Sequence, residues 1–380
     1  MNASNRPKVD PEEILDGIRQ WVEIETPTRN AAQVNRLVDL VEQGYRGIDA
    51  AIERVPGKQG VGDLLKVTSP WGGEGPGILV LCHLDTVHPM GTIEDKVPYR
   101  REGDAVFGPG IYDMKGGAYL PFYALRHLVR EGRKSKLPVT ILYMPDEEIG
   151  SLTSRDVIEA EARKAKYVLV TEPARDGGKV VTARKGVARF SMKVTGRPSH
   201  AGSRHQDGRS ANRELARQVI AIEEMTDYDR GVTTNVGFMR GGTVANVVPS
   251  HAEAEIDLRV PTQELAQEML DRILSLKPHD PDVKVEIEGE LNRPPYVQDD
   301  GVAKLFDHVS GLAKEIGFDL VESPMTGGGS DGNFTAALGV PTLDGLGVDG
   351  DGAHTFHEQL YFSSLAPRAS LMIRLLETLE

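Results

Sequence analysis

The sequence of 380 residues predicts an α/β fold. The expected architecture is a mixed, mostly parallel sheet with helices on both faces, plus an inserted ferredoxin-like α+β domain. Three observations predict it. Short apolar runs at 77–83, 138–144 and 167–171, bounded by Gly, Pro or charge, suit strands buried on both faces. Strand and helix patterns alternate up to about residue 182. The character then changes to β-α-β-β-α-β, the order of a ferredoxin-like sandwich.

Asp10 and Pro11 read as the N-cap and first residue of a helix. Its apolar positions, Ile14, Leu15, Ile18 and Val22, recur at helical spacing. The segment after Gly116-Gly117 carries Leu120, Phe122, Ala124, Leu125 and Leu128, and reads as a crossover helix between parallel strands. Further on, 188–196 alternates as a strand, and Ser210 is a cap-like start to a helix over 210–225. Strand-like stretches at 232–240 and 252–260, a helix at 262–277 and a strand at 283–290 complete that set. From Pro294-Pro295 the α/β pattern resumes, with a helix near 301–316, strands near 319–323 and 341–346, and a last helix near 362–379. The expected organisation is a discontinuous domain, 1–184 with 294–380, and an inserted domain, 185–293.

Composition narrows the class of function. A net charge of −13 argues against a nucleic-acid partner, which needs a basic footprint. No apolar run approaches the ~20 residues of a membrane span. The stretch Met1–Pro7 is polar and lacks the apolar core of a signal peptide. The single cysteine, Cys82, leaves no internal disulfide framework and fits a reducing compartment. Lying inside an apolar run, it reads as a small buried hydrophobe rather than a ligand or nucleophile. The expectation is a soluble cytoplasmic protein without nucleic-acid or membrane partners.

Chemistry-bearing residues stand where apolar segments stop: His83 and Asp85, Asp113, Asp146-Glu147-Glu148, and Glu172. His354 lies near the C-terminus in Gly352-Ala-His-Thr-Phe-His-Glu. Residues at successive strand ends converge at one edge of an open α/β sheet. Two histidines and three carboxylates gathered there are a ligand set for a pair of zinc-like ions. His83 reads as a ligand and Asp85 as the carboxylate that orients it. Asp113 has two oxygens and can bridge two cations. It stands among Gly108, Gly110, Gly116 and Gly117, where the chain must turn tightly. Three adjacent acids repel one another unless cations neutralise them. Because adjacent side chains diverge, Glu148 is assigned as ligand and Glu147 as general base. Glu172 before Pro173, taken alone, is better read as a simple turn. His354 is preferred to His357 because Gly352-Ala353 permits close approach. Each cluster alone also fits a turn, a cap or a surface pair; their joint placement points to metal-assisted hydrolysis of an amide.

These motifs resemble a known family. His83-Leu-Asp-Thr-Val, Gly108-Pro-Gly-Ile-Tyr-Asp-Met-Lys-Gly-Gly, Pro145-Asp-Glu-Glu-Ile-Gly-Ser, Thr171-Glu-Pro, Ser199-His-Ala-Gly and Gly327-Gly-Gly-Ser-Asp look like the co-catalytic di-zinc metallopeptidases. That group includes aminoacylase, acetylornithine deacetylase, succinyl-diaminopimelate desuccinylase and glutamate carboxypeptidase. The resemblance runs from roughly residue 10 to the C-terminus. It implies two divalent ions, with Zn2+ expected. Asp113 would bridge them, with His83 and Glu172 on one ion and Glu148 and His354 on the other. Glu147 would be the base, and the peptide after Asp113 would be cis.

The inserted domain carries further candidates. His200 fits a capping or surface residue of its turn. The resemblance implies instead that it reaches a partner subunit's site and stabilises the developing oxyanion, which makes a homodimer through this domain the expectation. Asn246 and Arg259 match positions that bind a substrate carbonyl or carboxylate, and a bidentate Arg suits an α-carboxylate. A strand-end salt bridge is the plainer role for Arg259. Gly328, within Gly327-Gly328-Gly329, lacks the Lys-Ser/Thr of a phosphate loop and reads as a backbone nest for a carboxylate.

The pattern is closest to glutamate carboxypeptidases. Lys179 and Arg293 match, the former with a one-residue gap, the region that reads an acidic side chain there; both also suit a solvent-facing role. The implied substrate is an N-acyl amino acid or short peptide that releases an acidic residue such as glutamate. Alternatives are an aminoacylase, deacetylase or dipeptidase acting on a non-acidic amino acid, and an inactive amino-acid-binding protein on the same fold. A nucleotide-dependent enzyme is disfavoured because no Gly-x-Gly-x-x-Gly follows the first strand.

Overall fold

The computed structural model describes residues 7–72 and 75–380, so most of the polar N-terminal stretch, residues 1–6, lies outside the described residues. The chain divides into two compact units. One runs to Ala183 and includes Gln298–Thr326 and Ser330–Glu380; the other is Arg184–Val297 with Gly327–Gly329.

The first unit is built on a six-stranded sheet. Its order is Ala51–Val55, Leu64–Thr68, Val139–Met144, Gly77–His83, Ala165–Val170, Thr342–Leu343. The last four strands are mutually parallel and the first two are antiparallel additions at one edge. Alternation along Gly77–His83 splits the core. Ile78, Val80 and Cys82 face one layer with residues of helices Pro11–Val22, Ala31–Arg46, Gly116–Arg130 and Leu365–Thr378. Leu79 and Leu81 face the other with helices Arg155–Ala162 and Gly332–Ala337. A strand covered on both sides needs apolar residues at every position, which is why its sequence reads as a continuous run. Cys82 is buried, and burial pushes its thiol up to about 12, so it is an inert packing residue.

Local rules set the helix ends. Asp10 caps the first helix by accepting from the Glu12 amide at 2.9 Å, with Pro11 at its first position. The helix Ala31–Arg46, capped by Asn30, and the antiparallel edge strands are not marked by the apolar runs that predict the rest. The Ala51–Val55 strand is an edge with partly exposed polar positions, so its signal is faint. The run near 319–323 narrows to Glu322–Ser323, which pairs with Val180–Val181 apart from the main sheet. The last helix begins at Leu365, after a tight turn over Phe362–Ser364. A smaller antiparallel sheet joins Gly350–Asp351, Gln359–Tyr361, Ala105–Phe107 and Arg100–Glu102. It carries the loop that holds His354.

The second unit is a four-stranded antiparallel sheet. Its order is Thr233–Gly241, His251–Val260, Gly186–Thr195, Lys284–Arg293. In chain order that is 2-3-1-4 with two crossover helices, the ferredoxin-like arrangement. Helices Ala211–Glu223 and Gln263–Leu274 bury Leu215, Ile222, Met269 and Ile273 against Ala188, Phe190, Met192 and Val194 of the central strand. Ser210 and Thr262 cap the two helices through their hydroxyls.

Candidate metal centre

Three strand ends, one turn and one loop of the first unit build the site. Gly77–His83 ends on His83 and leads to Asp85; Val139–Met144 leads to Glu147 and Glu148. Ala165–Val170 leads to Glu172, and the turn Ile111–Lys115 carries Asp113. His354 comes from the 352–358 loop, where Gly352 has φ +77° and His354 itself φ +63°. The glycine removes the Cβ that would meet the His357 carbonyl at 2.8 Å.

Asp113 stands at the middle. Its Oδ1 lies 3.2 Å from His83 Nε2 and its Oδ2 3.3 Å from His354 Nε2, so each oxygen faces a different imidazole. Glu172 Oε1 is 3.7 Å from His83 Nε2, and Glu148 Oε2 is 3.1 Å from His354 Nε2. His83, Glu147 and Glu172 bring ligand atoms within 4.8 Å of one another, as do His83, Asp113 and Glu148. The Asp113–Met114 peptide is cis. His357 is exposed, and its amide donates to the Thr355 hydroxyl.

Two features show that these residues fit a divalent ion. Ligand atoms about 2.0–2.1 Å from a tetrahedral ion lie about 3.3 Å apart, close to the 3.1–3.7 Å found here. Glu148 Oε1 is buried without a hydrogen-bond partner among the described residues, an expensive state for a carboxylate oxygen that a cation relieves. Electrostatics agree. Burial pulls the His83 pKa down, but hydrogen bonds to Asp113 and Asp85 outweigh it and hold it well above the usual value. Asp113 and Glu148 raise His354 to about 11. Burial raises Glu148. A field that binds protons this tightly also favours a metal, which releases them on binding.

Asp85 joins two strand ends. His83 Nδ1 is 3.0 Å from its backbone oxygen and 3.4 Å from its Oδ1. The amides of Glu147 and Glu148 donate to its two carboxylate oxygens at 3.2 Å, and the Thr28 hydroxyl donates at 2.7 Å. Asp146, the first acid of the trio, turns inward: it is fully buried and accepts from the Thr153 amide and hydroxyl and from the Ser154 hydroxyl. Adjacent side chains thus diverge, leaving Glu147 half-buried beside the His83 and Glu172 ligand atoms.

Three further buried residues surround the centre, and no sequence pattern marks their burial. Glu358 and His88 pair at 2.6 Å, and Lys115 donates to the Ile24 carbonyl at 2.7 Å, with burial bringing its ammonium down to about 7. Isolated polar residues without periodicity carry no mark of burial, although Glu358 ends the string that contains His354.

The remaining candidates lie elsewhere. Lys179 is half-buried in the first unit, in a turn closed by backbone bonds to Arg175. His200 and Asn246 are exposed on the second unit, on adjoining segments joined by the Ala201 amide to the Asn246 carbonyl at 2.9 Å. The Gly202 and Ser203 amides donate to His200 Nδ1 at 3.1 and 3.2 Å, which leaves the proton on Nε2. Arg259 is forked onto Asp257 at 2.6 and 2.9 Å, and its Nη1 reaches the Gly327 carbonyl at 3.3 Å. A substrate carboxylate must therefore compete with Asp257 for it. The Gly328 carbonyl accepts from Arg184 at 3.0 Å, and buried Arg293 packs against Gly329.

A doubly covered α/β sheet with imidazoles and carboxylates at its strand ends, interrupted by an α+β sandwich, defines a metallopeptidase class. The chain belongs to the peptidase family M20/M25/M40, whose sequence profile matches residues 79–378. It is 30% identical over 370 residues to carboxypeptidase G2 of Pseudomonas sp. (strain RS-16), covering 94% of this chain and 87% of that protein. Its fold is that of aminopeptidase PepT from Bacillus cereus, at 22% identity and a TM-score of 0.76 over 97% of this chain and 98% of that one. An M20 family metallo-carboxypeptidase from Sulfolobus solfataricus shares it too, at 19% identity and a TM-score of 0.74 over 97% and 99%. Among the described residues no helix is long and apolar enough to cross a membrane.

Proposed function

We propose that this metallopeptidase-family enzyme hydrolyses the amide bond of an N-acyl amino acid or short peptide and releases a C-terminal acidic residue such as glutamate. The observation that carries the reading is Asp113 presenting one oxygen to each of two histidines. His83 and Glu172 would hold one divalent ion and Glu148 and His354 the other, with Zn2+ the expected metal. When bound, the ions supply Lewis acidity to a carbonyl and to water. Glu147 takes the proton of the attacking water and returns it to the leaving nitrogen. Asp85 keeps His83 in one tautomer and holds the amides of Glu147 and Glu148. His200, with its proton on Nε2, is the donor to the developing oxyanion. Asn246, Arg259 and the Gly327–Gly329 loop bind the substrate's carbonyl and α-carboxylate, and Lys179 and Arg293 read the acidic side chain. The proposed location is cytoplasmic, which the single cysteine fits because a reducing compartment needs no disulfide.

The inserted unit, expected as 185–293, is proposed to form a homodimer. Among the described residues its Thr233–Gly241 strand is an edge, paired only on the His251–Val260 side. Phe238, Met239 and Val244 stand exposed there at 45, 53 and 59%.

The test is metal content of the purified protein together with hydrolysis of N-acyl and dipeptide panels. Two zinc ions per chain and higher kcat/KM for acidic leaving residues are expected. Equal rates for acidic, neutral and basic residues would remove the specificity and leave an aminoacylase or dipeptidase. Tight amino-acid binding without turnover would leave a binding protein.

A further inference from the structure

Glu358 follows the loop that carries His354, yet its side chain turns to another segment and is 1% exposed. Its Oε1 accepts from the amides of Tyr112 and Asp113, each at 2.9 Å. Its Oε2 accepts from the Gly110 amide at 2.9 Å and faces His88 Nε2 at 2.6 Å. Four donors hold this carboxylate in one orientation, and three of them belong to the turn that ends on Asp113. Among the described residues the Asp113 side chain is paired with the two imidazoles named above, while its backbone is held by Glu358. Its place is therefore set from the backbone side.

We infer that Glu358 is the positioning residue for Asp113, locating both of its oxygens through the Gly110–Asp113 backbone, and that His88 holds Glu358 in turn. This rests on the two-ion reading of the centre. A shared carboxylate must serve both ions at once, so a displacement of a few tenths of an ångström is felt at two coordination spheres. Asp85 does the same work for Glu147 and Glu148. The centre is thus clamped by two buried carboxylates that offer no oxygen to the ions.

Metal binding separates this from a packing role. Wild-type protein, stripped and titrated with Zn2+ against a competing chelator, is expected to take two ions; failure there overturns the two-ion reading, and this inference with it. Glu358→Gln keeps the shape but turns one acceptor oxygen into a donor that opposes a backbone N–H. It is expected to weaken the binding of both ions 10–100-fold, with Glu358→Asp recovering part of the loss. A role in packing alone would lower the melting temperature of the metal-free protein and leave the zinc titration unmoved. Two ions bound by folded Glu358→Gln at wild-type affinity overturn the inference. Should that variant not fold, His88→Phe leaves Glu358 in place: weakening of both ions on the order of 10-fold supports the inference, and an unchanged titration overturns it.

Discussion

Three neighbouring acids illustrate how environment assigns a role to a residue type. Asp146, Glu147 and Glu148 are adjacent, yet Asp146 is spent on holding Thr153 and Ser154. Glu148 sits 3.1 Å from His354, and Glu147 stays half-buried beside His83 and Glu172. Glu147 is proposed as the base, and one substitution separates that role from a ligand's. Glu147→Gln keeps size and loses the proton-carrying oxygen. As base, it should retain two ions and lose about 10²–10⁴-fold in kcat. Loss of an ion, measured by elemental analysis, would make it a ligand instead, and near-normal turnover would remove it from the chemistry.

At the scale of elements, buried carboxylates act as ties between segments. Glu214, on the Ala211–Glu223 helix, accepts from the amides of His279 and Asp280 at 2.8 and 3.2 Å and from Gln218 at 2.8 Å. Burial alone would raise its pKa; these hydrogen bonds outweigh it and leave the group lowered. A carboxylate depressed in the folded state stabilises the fold fully above its unfolded pKa and loses that contribution as pH falls through the folded value. The inserted unit should therefore lose stability from about pH 4.5 downward. Glu214→Gln should be less stable at pH 7 and flatter with pH across the acid range, by urea denaturation at several pH values. An equal slope in both proteins would assign the acid sensitivity elsewhere.

For the whole molecule, the question is whether His200 serves its own chain or a partner. The exposed edge strand of the inserted unit supports a pair of chains. His200→Ala and Glu147→Gln homodimers should each be nearly inactive. Mixing and refolding them together should restore up to about a quarter of wild-type activity if the histidine acts across the interface, since half of the dimers are then mixed and each has one intact site. Absence of rescue, with mixed dimers shown by mass spectrometry, would place His200 within its own subunit.

Much of this was legible in the sequence because burial on both faces writes a strand as a plain apolar run. The residues just past 77–83, 138–144 and 167–171 could therefore be assigned to one sheet edge before any coordinates. The β-α-β-β-α-β order was readable for a similar reason, as period-2 and period-3.6 patterns are local properties. His354 was harder, being a choice between two histidines that only the turn at Gly352 resolves. The burial of Glu358, His88 and Lys115 was not legible, since a single polar residue does not reveal whether it faces water or a row of backbone amides. Arg259 shows the same limit from the other side: residue type left a substrate-carboxylate contact and a strand-end salt bridge both open, and the fold pairs it with Asp257. Pattern and spacing thus determined the elements and the residue types at their ends. Tertiary structure alone decided which oxygen meets which nitrogen, because contacts between segments far apart in the chain depend on packing that no local stretch encodes.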